Sequence, residues 1–393
     1  MEHRLAPAAA FVLAGALTHA GVLAHDSGLS NGLFRSRDGG ATWLQLDAGS
    51  FANGALALAV HPTNAHRLLL ATDGGLVSSR NGGRDWESEA SNVLSGPAFA
   101  VAFDLDGAGA MASGANALYR FDGNRWLATR TPAGSAPARV LASGGVAGRA
   151  YLAGWTGLHR TDNWGRSWAR VGKEIDAESV SALAISANNP DDIHALAGGR
   201  VWTSTDGARS WRADAGTPQT ADALAFDGAV PTRLWIVAAG RAYRKQDRTS
   251  RWEPVGEAIP DPQAKARGID VLNDAMVIST DRGVYRSLNA GVSWALLSAE
   301  LPNHVEATLL LRDPHNPATI YAGFSRLGPE QLKGVLLTPD QSFTRSDVAL
   351  LVGLYSGFAL VLVGVGVIVR RMTREGTAAK GDRAIDDMRA ESP

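Results

Sequence analysis

Residues 36–43 read SRDGGATW and bring a hydroxyl, a carboxylate and an indole together within eight positions. A carboxylate beside glycines and an aromatic ring could act as a general acid or base, so this stretch is the first candidate for chemistry. The same order recurs, however, as SRNGGRDW (79–86), TDNWGRSW (161–168), STDGARSW (204–211) and SLNAGVSW (287–294). A pattern repeated in near-identical form indicates a structural turn, and we predict no catalytic residue in these boxes.

The tryptophans that end the boxes set the period of the chain. Two eroded copies, RFDGNRW and KQDRTSRW, fill the gaps, so the boxes end at Trp43, Trp86, Trp126, Trp168, Trp211, Trp252 and Trp294. Successive tryptophans are 40 to 43 residues apart. A steady period of this length is typical of a repeat architecture.

Each repeat has the composition of four short strands. An aliphatic–aromatic pair precedes the box, a short strand follows it, and two apolar strands such as ALALAV and HRLLLAT come next, with turn residues between them. These units have no helical period. Strands that are apolar on both faces suit sheets packed between two neighbours, so the sequence predicts an all-β, seven-bladed β-propeller over residues 25–345.

The two ends of the repeat region predict how the ring closes. The chain around the first box supplies only two strands of a blade, and residues 305–325 supply two more after the last box. Pairing of these ends would complete one blade and remove the exposed sheet edges. The segment TPDQSFTR at 338–345 resembles a decayed eighth box, so an eight-bladed ring is the alternative.

The residue types of the box are those that stabilise a tight turn. An Asp or Asn side chain accepts backbone N–H bonds, glycine permits a positive φ, and tryptophan covers the hairpin with a large apolar ring. We therefore predict a structural role for Ser36, Asp38, Gly40, Trp43, Asn81, Trp86, Asn163, Trp168, Asp206, Trp211, Asn289 and Trp294.

An apolar segment after the repeats predicts attachment to a membrane. Residues 348–369 contain no charged residue and are long enough to cross a bilayer as one transmembrane helix. Arg370, Arg371 and Arg374 follow at once, and such positive charges remain in the cytoplasm. We therefore predict a short cytoplasmic tail over residues 370–393.

The first residues of the chain predict export. Residues 1–24 have a short positive start, an apolar stretch and small residues, as a signal peptide does, and a buried strand is the alternative. The propeller is then expected on the extracytoplasmic, periplasmic side of the cell membrane. In the membrane segment Gly353 and Gly357 form a small-xxx-small pattern that could pair two helices in a dimer.

Composition excludes several classes of function. The chain has 38 basic and 39 acidic residues, so it offers no basic footprint for nucleic acid. It contains no cysteine, which excludes disulfides, thiolate catalysis and cysteine-ligated metals. The nine histidines are dispersed along the chain, and we predict neither a metal site nor a cofactor.

The pattern S/T-x-D-x-G-x-x-W resembles the Asp-box, or BNR repeat, of the sialidase-like superfamily. Over residues 30–325 the chain is similar to the photosystem II stability/assembly factor-like family. That resemblance implies a non-catalytic scaffold whose partner is another membrane or envelope protein complex. A sialidase-like glycoside hydrolase or a glycan-binding propeller is the alternative, although the Phe/Tyr-Arg-Ile-Pro motif of sialidases is absent from this sequence.

A binding site is expected on the propeller face opposite the box turns. Arg200, Arg241 and Arg282 precede the third strand of three consecutive repeats, where they could receive an anionic ligand or an acidic protein patch. Solvated loop arginines are the alternative interpretation. Trp155, in the segment GWTG, is a candidate aromatic anchor for a partner.

Overall fold

Seven four-stranded antiparallel sheets form the fold. The computed structural model describes residues 31–47, 54–155, 157–175, 180–218, 220–227, 232–247 and 251–337. These residues form 28 strands, a 3-10 turn (Lys173–Ile175) and one helix, α1 (Pro329–Leu337). The chain divides into two compact units, Met1–Lys333 and Gly334–Pro393, and every described strand lies in the first.

Four strands form each blade, and the blades are numbered I to VII round the ring. Blade I contains β1 (Gly32–Ser36), β2 (Leu44–Gln45), β27 (Glu306–Arg312) and β28 (Ile320–Ser325). Blade II contains β3 (Ala55–His61), β4 (Asn64–Thr72), β5 (Gly75–Ser79) and β6 (Glu87–Glu89). Blade III contains β7 (Ala98–Phe103), β8 (Ala110–Gly114), β9 (Leu118–Phe121) and β10 (Trp126–Thr129). Blade IV contains β11 (Val140–Ser143), β12 (Ala150–Ala153), β13 (Leu158–Thr161) and β14 (Ala169–Val171). Blade V contains β15 (Val180–Ile185), β16 (Ile193–Ala197), β17 (Arg200–Ser204) and β18 (Arg212–Ala213). Blade VI contains β19 (Ala221–Phe226), β20 (Leu234–Ala238), β21 (Arg241–Lys245) and β22 (Glu253–Val255). Blade VII contains β23 (Ala266–Leu272), β24 (Ala275–Thr280), β25 (Gly283–Ser287) and β26 (Ala295–Leu296).

Blade I closes the ring with strands from both ends of the repeat region. Strand β1 pairs with β28, from Gly32 opposite Phe324 to Ser36 opposite Ile320. The rings of Phe34 and Phe324 meet edge to face across this pair, with centroids 5.4 Å apart. The prediction of seven blades is therefore confirmed, and the chain continues from β28 into α1.

Apolar clusters lie between neighbouring blades. The cluster between blades II and III, for example, joins Leu69 to Val101, Phe103 and Trp126. Alanines make up much of this cluster and of its counterparts, and their small side chains let two sheets approach closely. This packing explains why strands that are apolar on both faces recur along the sequence.

The box side chains bond within the turn between the third and fourth strands. In blade I the Ser36 hydroxyl donates to Oδ1 of Asp38 and accepts the Gly40 amide, both at 2.7 Å. Oδ1 of Asp38 also accepts the amides of Ala41 and Thr42, each at 2.9 Å. The same bonds recur at Ser79, Thr161, Ser204 and Ser287. The box polar groups are thus engaged inside the hairpin rather than presented to a substrate.

Two of the arginines that precede the boxes, Arg35 and Arg160, connect their turns to the next blade. The Arg35 guanidinium donates to the Gly82 carbonyl oxygen at 2.6 Å, and Arg160 donates to that of Gly207 at 2.7 Å. Both side chains are buried. Each bond pairs a cation with a backbone carbonyl inside the box of the following blade, so it stabilises the spacing between blades.

The ionised box aspartates are expected to make the folding stability of the protein depend on pH in the acidic range. Desolvation opposes ionisation of Asp38, but bonds from Thr42, Ser36 and Ala41 outweigh it and lower its pKa to about 2. At Asp206 desolvation is likewise outweighed, by bonds from Ser210, Ser204 and Arg209, and the pKa is also about 2. Because these folded-state values lie below the ordinary value, the stabilisation is present above pH ~4 and is lost as pH falls towards 2.

The double variant Asp38→Asn/Asp206→Asn tests this dependence. An asparagine keeps the acceptor oxygen, as Asn81 does towards the amides of Arg84 and Asp85 at 3.1 and 2.9 Å. We expect the variant to fold. When the pH is lowered from neutral to ~3, its Tm, measured by circular dichroism, should fall less than the Tm of the wild type. Equal losses of Tm in the two proteins would contradict the linkage.

Several predicted segments lie outside the described residues. They are the signal peptide at 1–24, the candidate eighth box at 338–345, the membrane segment at 348–369 and the tail at 370–393. Within the described ranges, no helix has both the length and the apolar character needed to cross a bilayer.

Candidate functional site

The two faces of the propeller carry different connections. The box turns join the third and fourth strands of each blade and lie on one face. The opposite face carries the hairpins between the second and third strands and the loops that enter the innermost strands. We call it the helix-side face, because the chain passes from β28 into α1 there.

Six of the seven innermost strands contain a β-bulge where they start on the helix-side face. The pairing register with the second strand of the blade shifts after the first paired residue in β3, β7, β15, β19 and β23. In β27 it shifts after the second paired residue. A bulge leaves one residue unpaired and redirects its side chain. The bulge residues, which we call the mouth ring, surround the channel entrance and are Leu56, Phe99, Ser181, Asp222, Arg267 and Thr308.

The apolar part of the mouth ring is covered by helix α1. Leu332 of α1 is buried against Leu56 and Phe99, with Ala115 beside them. These contacts remove two large apolar side chains of the entrance from water, which favours docking of the helix on blades II and III.

Charged and aromatic side chains of blade IV hold the same helix. Arg139 forms an ion pair with Glu330 of α1, with 3.0 Å between nitrogen and oxygen. The Lys333 ammonium lies 3.7 Å from the ring centre of Trp155, and the Arg139 guanidinium lies 4.8 Å from it. Burial lowers the pKa of both Arg139 and Lys333. Trp155, predicted to anchor a partner, therefore contacts a helix of its own chain through cation–π interactions.

Arg267, a polar residue of the mouth ring, borders an open cleft. Arg267 forms an ion pair with Glu306 at 2.7 Å. Burial raises the pKa of the nearby Asp222, against the attraction of Arg267 and Lys265. The cleft has a volume of about 370 Å³, and its lining includes Arg267, Asp281, His304, Glu306, Arg326 and Gln331.

The three predicted arginines lie on the helix-side face in different surroundings. Arg241 forms an ion pair with Glu257 at 2.6 Å. Arg282 donates to Oε1 of Gln263 at 3.0 Å and lies 3.7 Å from Asp261. The loop between β22 and β23 thus engages two of these cations. Arg200, the first residue of β17, is exposed.

Sequence reasoning missed Arg139, Asp222 and Arg267. The first immediately precedes an innermost strand, and the other two are the second residues of such strands. Their common location, at the start of the first strand of a repeat, is the signal that could have identified them. Among the described residues, no three His, Asp or Glu side chains are grouped as a metal site would require.

Fold and turns together define the class of the protein: a seven-bladed β-propeller with Asp-box hairpins and a helix at its channel entrance. The solved structure of YCF48 bound to D1 peptide is similar, with a TM-score of 0.53, 16% identity, and coverage of 70% of this chain and 94% of that one. The GH74 xyloglucanase of Xanthomonas campestris has a TM-score of 0.51 and 20% identity over 73% of this chain and 55% of its own. These similarities confirm the predicted type of propeller at the level of fold.

Comparison with curated proteins gives a partial match. A xyloglucanase from Paenibacillus is 23% identical in an alignment of 227 residues, and the match covers 52% of this chain and 21% of the xyloglucanase. The chain therefore spans about a fifth of that relative's length. No family model matches the chain.

Proposed function

We propose that this protein is a non-catalytic binding scaffold that holds a segment of another membrane or envelope protein on its helix-side face. The observation that carries the proposal is the docking of α1. Glu330, Leu332 and Lys333 engage an arginine, an apolar pair and a tryptophan within four residues of chain. A surface that holds one short amphipathic segment through these three kinds of contact has the chemistry to hold a partner segment beside it.

The polar cleft supplies the surface for that partner. It adjoins α1 through Gln331, and Arg267 lies at its edge with an ion pair that a partner carboxylate can exchange. Arg200, Arg241 and Arg282 extend the cationic rim over blades V to VII, where they are proposed to steer an acidic segment towards the cleft. No cofactor takes part in this recognition.

Likeness to a peptide-bound propeller supports a binding role. The chain covers 94% of the structure of YCF48 bound to D1 peptide, so nearly the whole of that binding fold has a counterpart here. In the proposed arrangement the predicted segment 348–369 anchors the protein in the cell membrane with the propeller on the periplasmic side. Gly353 and Gly357 are the proposed contact if two anchors pair.

A glycoside hydrolase or glycan-binding propeller is the second candidate. The observation in its favour is Asp222, whose carboxyl lies at the channel entrance with a raised pKa, as a general acid requires. The xyloglucanase relatives favour the same class. Hydrolysis of xyloglucan oligosaccharides or of a fluorogenic sialoside by the purified chain, lost in Asp222→Asn, would establish this alternative.

Matched charge reversals on the two faces test the binding proposal. The variant Arg200→Glu/Arg241→Glu/Arg282→Glu changes the helix-side face, and Arg37→Glu/Arg84→Glu/Arg209→Glu makes the same change of charge at exposed box positions. We expect the first variant to reduce partner recovery after crosslinking in native membranes at least about tenfold, because each lost charge-assisted bond weakens binding by roughly that factor. The second variant should leave recovery unchanged. Equal recovery with both variants would overturn the proposal.

A further inference from the structure

A second cleft lies between blades II and III, away from the helix-side face. Its volume is about 200 Å³, and its lining includes Arg67, Ser78, Arg80, Phe121, Asn124 and Trp126. We propose that this cleft is a binding site for a small organic carboxylate of the acidic monosaccharide class. The inference does not depend on the proposed function of the helix-side face.

The cleft coincides with the shortened box of blade III. Asp122 and Trp126 are four positions apart, whereas Asp38 and Trp43 are five apart. In the intact box the Trp43 indole donates to the Gly40 carbonyl of its own turn at 3.1 Å. In blade III the indole of Trp126 lies in the blade interface and donates to Oε1 of Glu89 at 2.7 Å. The indole is thus bonded to blade II, and its ring forms a wall of the cleft.

The charges of the cleft favour an anion. Neither Arg67 nor Arg80 forms an ion pair with any carboxylate among the described residues, and the Arg67 guanidinium lies 5.4 Å from the ring centre of Phe103. The acid of the cleft, Glu89, has one oxygen bonded to the Trp126 indole. Two guanidinium groups against one carboxylate leave a net positive site, and arginine binds carboxylates through paired, charge-assisted bonds.

The remaining lining fits the body of a sugar. Ser78 and Asn124 offer hydroxyl and amide groups, and Leu69 and Phe121 form apolar walls. A few placed polar groups on an apolar wall are typical of small-molecule sites. A sugar ring with one carboxylate can satisfy the arginines and cover these walls, whereas a compact phosphate can satisfy only the arginines.

Calorimetric titration of the full chain tests the site. We expect glucuronate to bind and glucose, which has the same ring without the carboxylate, not to bind. Arg67→Gln and Arg80→Gln should each weaken glucuronate binding about tenfold. Arg209→Gln, an exposed arginine of blade V, is the matched control and should leave it unchanged.

Glu89→Gln separates ligand binding from a structural effect. Glutamine keeps an acceptor for the Trp126 indole and removes the negative charge beside the ligand, so glucuronate should bind several-fold more tightly. A purely structural role of these residues predicts no gain. No binding of glucuronate, binding unaffected by Arg67→Gln and Arg80→Gln in folded variants, or equal binding of phosphate would each overturn the assignment.

Discussion

Substitution of Gly256 by alanine is expected to lower the free energy of unfolding by about 2–5 kcal/mol. Gly256 has a φ of +64°, which costs alanine about 1–2 kcal/mol. Its methyl group would also collide with the backbone of Gly291, whose Cα would be 2.6 Å away. Overpacking of this kind costs roughly 1–3 kcal/mol, because a backbone neighbour cannot rotate aside.

The collision at Gly256 falls on the contact between blades VI and VII. The Glu257 amide donates to the Gly291 carbonyl at 2.7 Å, and the Trp294 indole donates to the Glu257 carbonyl at 2.9 Å. Separation of the two backbones to admit a methyl group would stretch both bonds. The substitution therefore weakens a joint of the ring in addition to one turn.

Gly39→Ala is the matched control for the backbone conformation. Gly39 has a φ of +67°, but no atom lies within 4 Å of the position that a methyl group would take. We expect it to lose only the conformational part, about 1–2 kcal/mol. Urea unfolding of both variants measures the difference, and equal losses would show that the collision at Gly291 is relieved without cost.

The ring could be predicted from the sequence because its signals are local. Ser36 and Asp38 bond to amides within four positions of themselves, and the same hydroxyl–amide bond marks the same turn in the five intact boxes. The turn geometry even tolerates a departure from the pattern. Ala208 occupies the glycine position of its box with a φ of 70°, and its amide still donates to Ser204 at 2.9 Å.

The candidate site could not be predicted in the same way, because its residues meet only after the ring closes. Arg267, in AKARGID, looks like a loop residue in the sequence, and the bulge that directs it to the channel entrance appears only in the paired register of β23. Trp155 was identified as an aromatic anchor, but its contact with Lys333 joins distant parts of the chain. Contacts of this kind carry no periodic signal.

The two faces therefore differ in what their residues are free to do. Box residues are bound within their own hairpins, so changes there alter stability more than recognition. On the helix-side face the mouth ring changes from Leu56 and Phe99 to Asp222 and Arg267 at equivalent positions of the fold. Such variation at constant geometry is expected where a repeat scaffold carries a binding surface.

Loss of the Arg312 side chain is expected to destabilise the joint between blades VII and I. Arg312 at the end of β27 pairs with Asp270 of β23 through Nε and Nη2, with 2.8 Å from Nε to Oδ1. The side chains are 15% and 11% exposed, respectively. Arg312→Met leaves a buried carboxylate without its partner, which costs about 3–5 kcal/mol at neutral pH.

The pH dependence of Arg312→Met identifies the cause of that loss. Burial raises the pKa of Asp270, and the attraction of Arg312 opposes the rise, so removal of Arg312 raises this pKa further. A carboxyl group whose pKa is raised in the folded state costs no stability when the pH is below its ordinary pKa. The loss of stability grows as the pH rises through the pKa of the folded state. Urea unfolding should therefore show a smaller loss near pH 4 than at pH 7.

The double variant Asp270→Asn/Arg312→Met provides the control. It removes the buried charge together with its partner, so it should be more stable than Arg312→Met at pH 7 and should lack the added pH dependence. If Arg312→Met lost the same free energy at both pH values and the double variant were no better, the loss would come from packing of the arginine stem. Recovery in the double variant would instead show that the ion pair at this joint matters because Asp270 is buried.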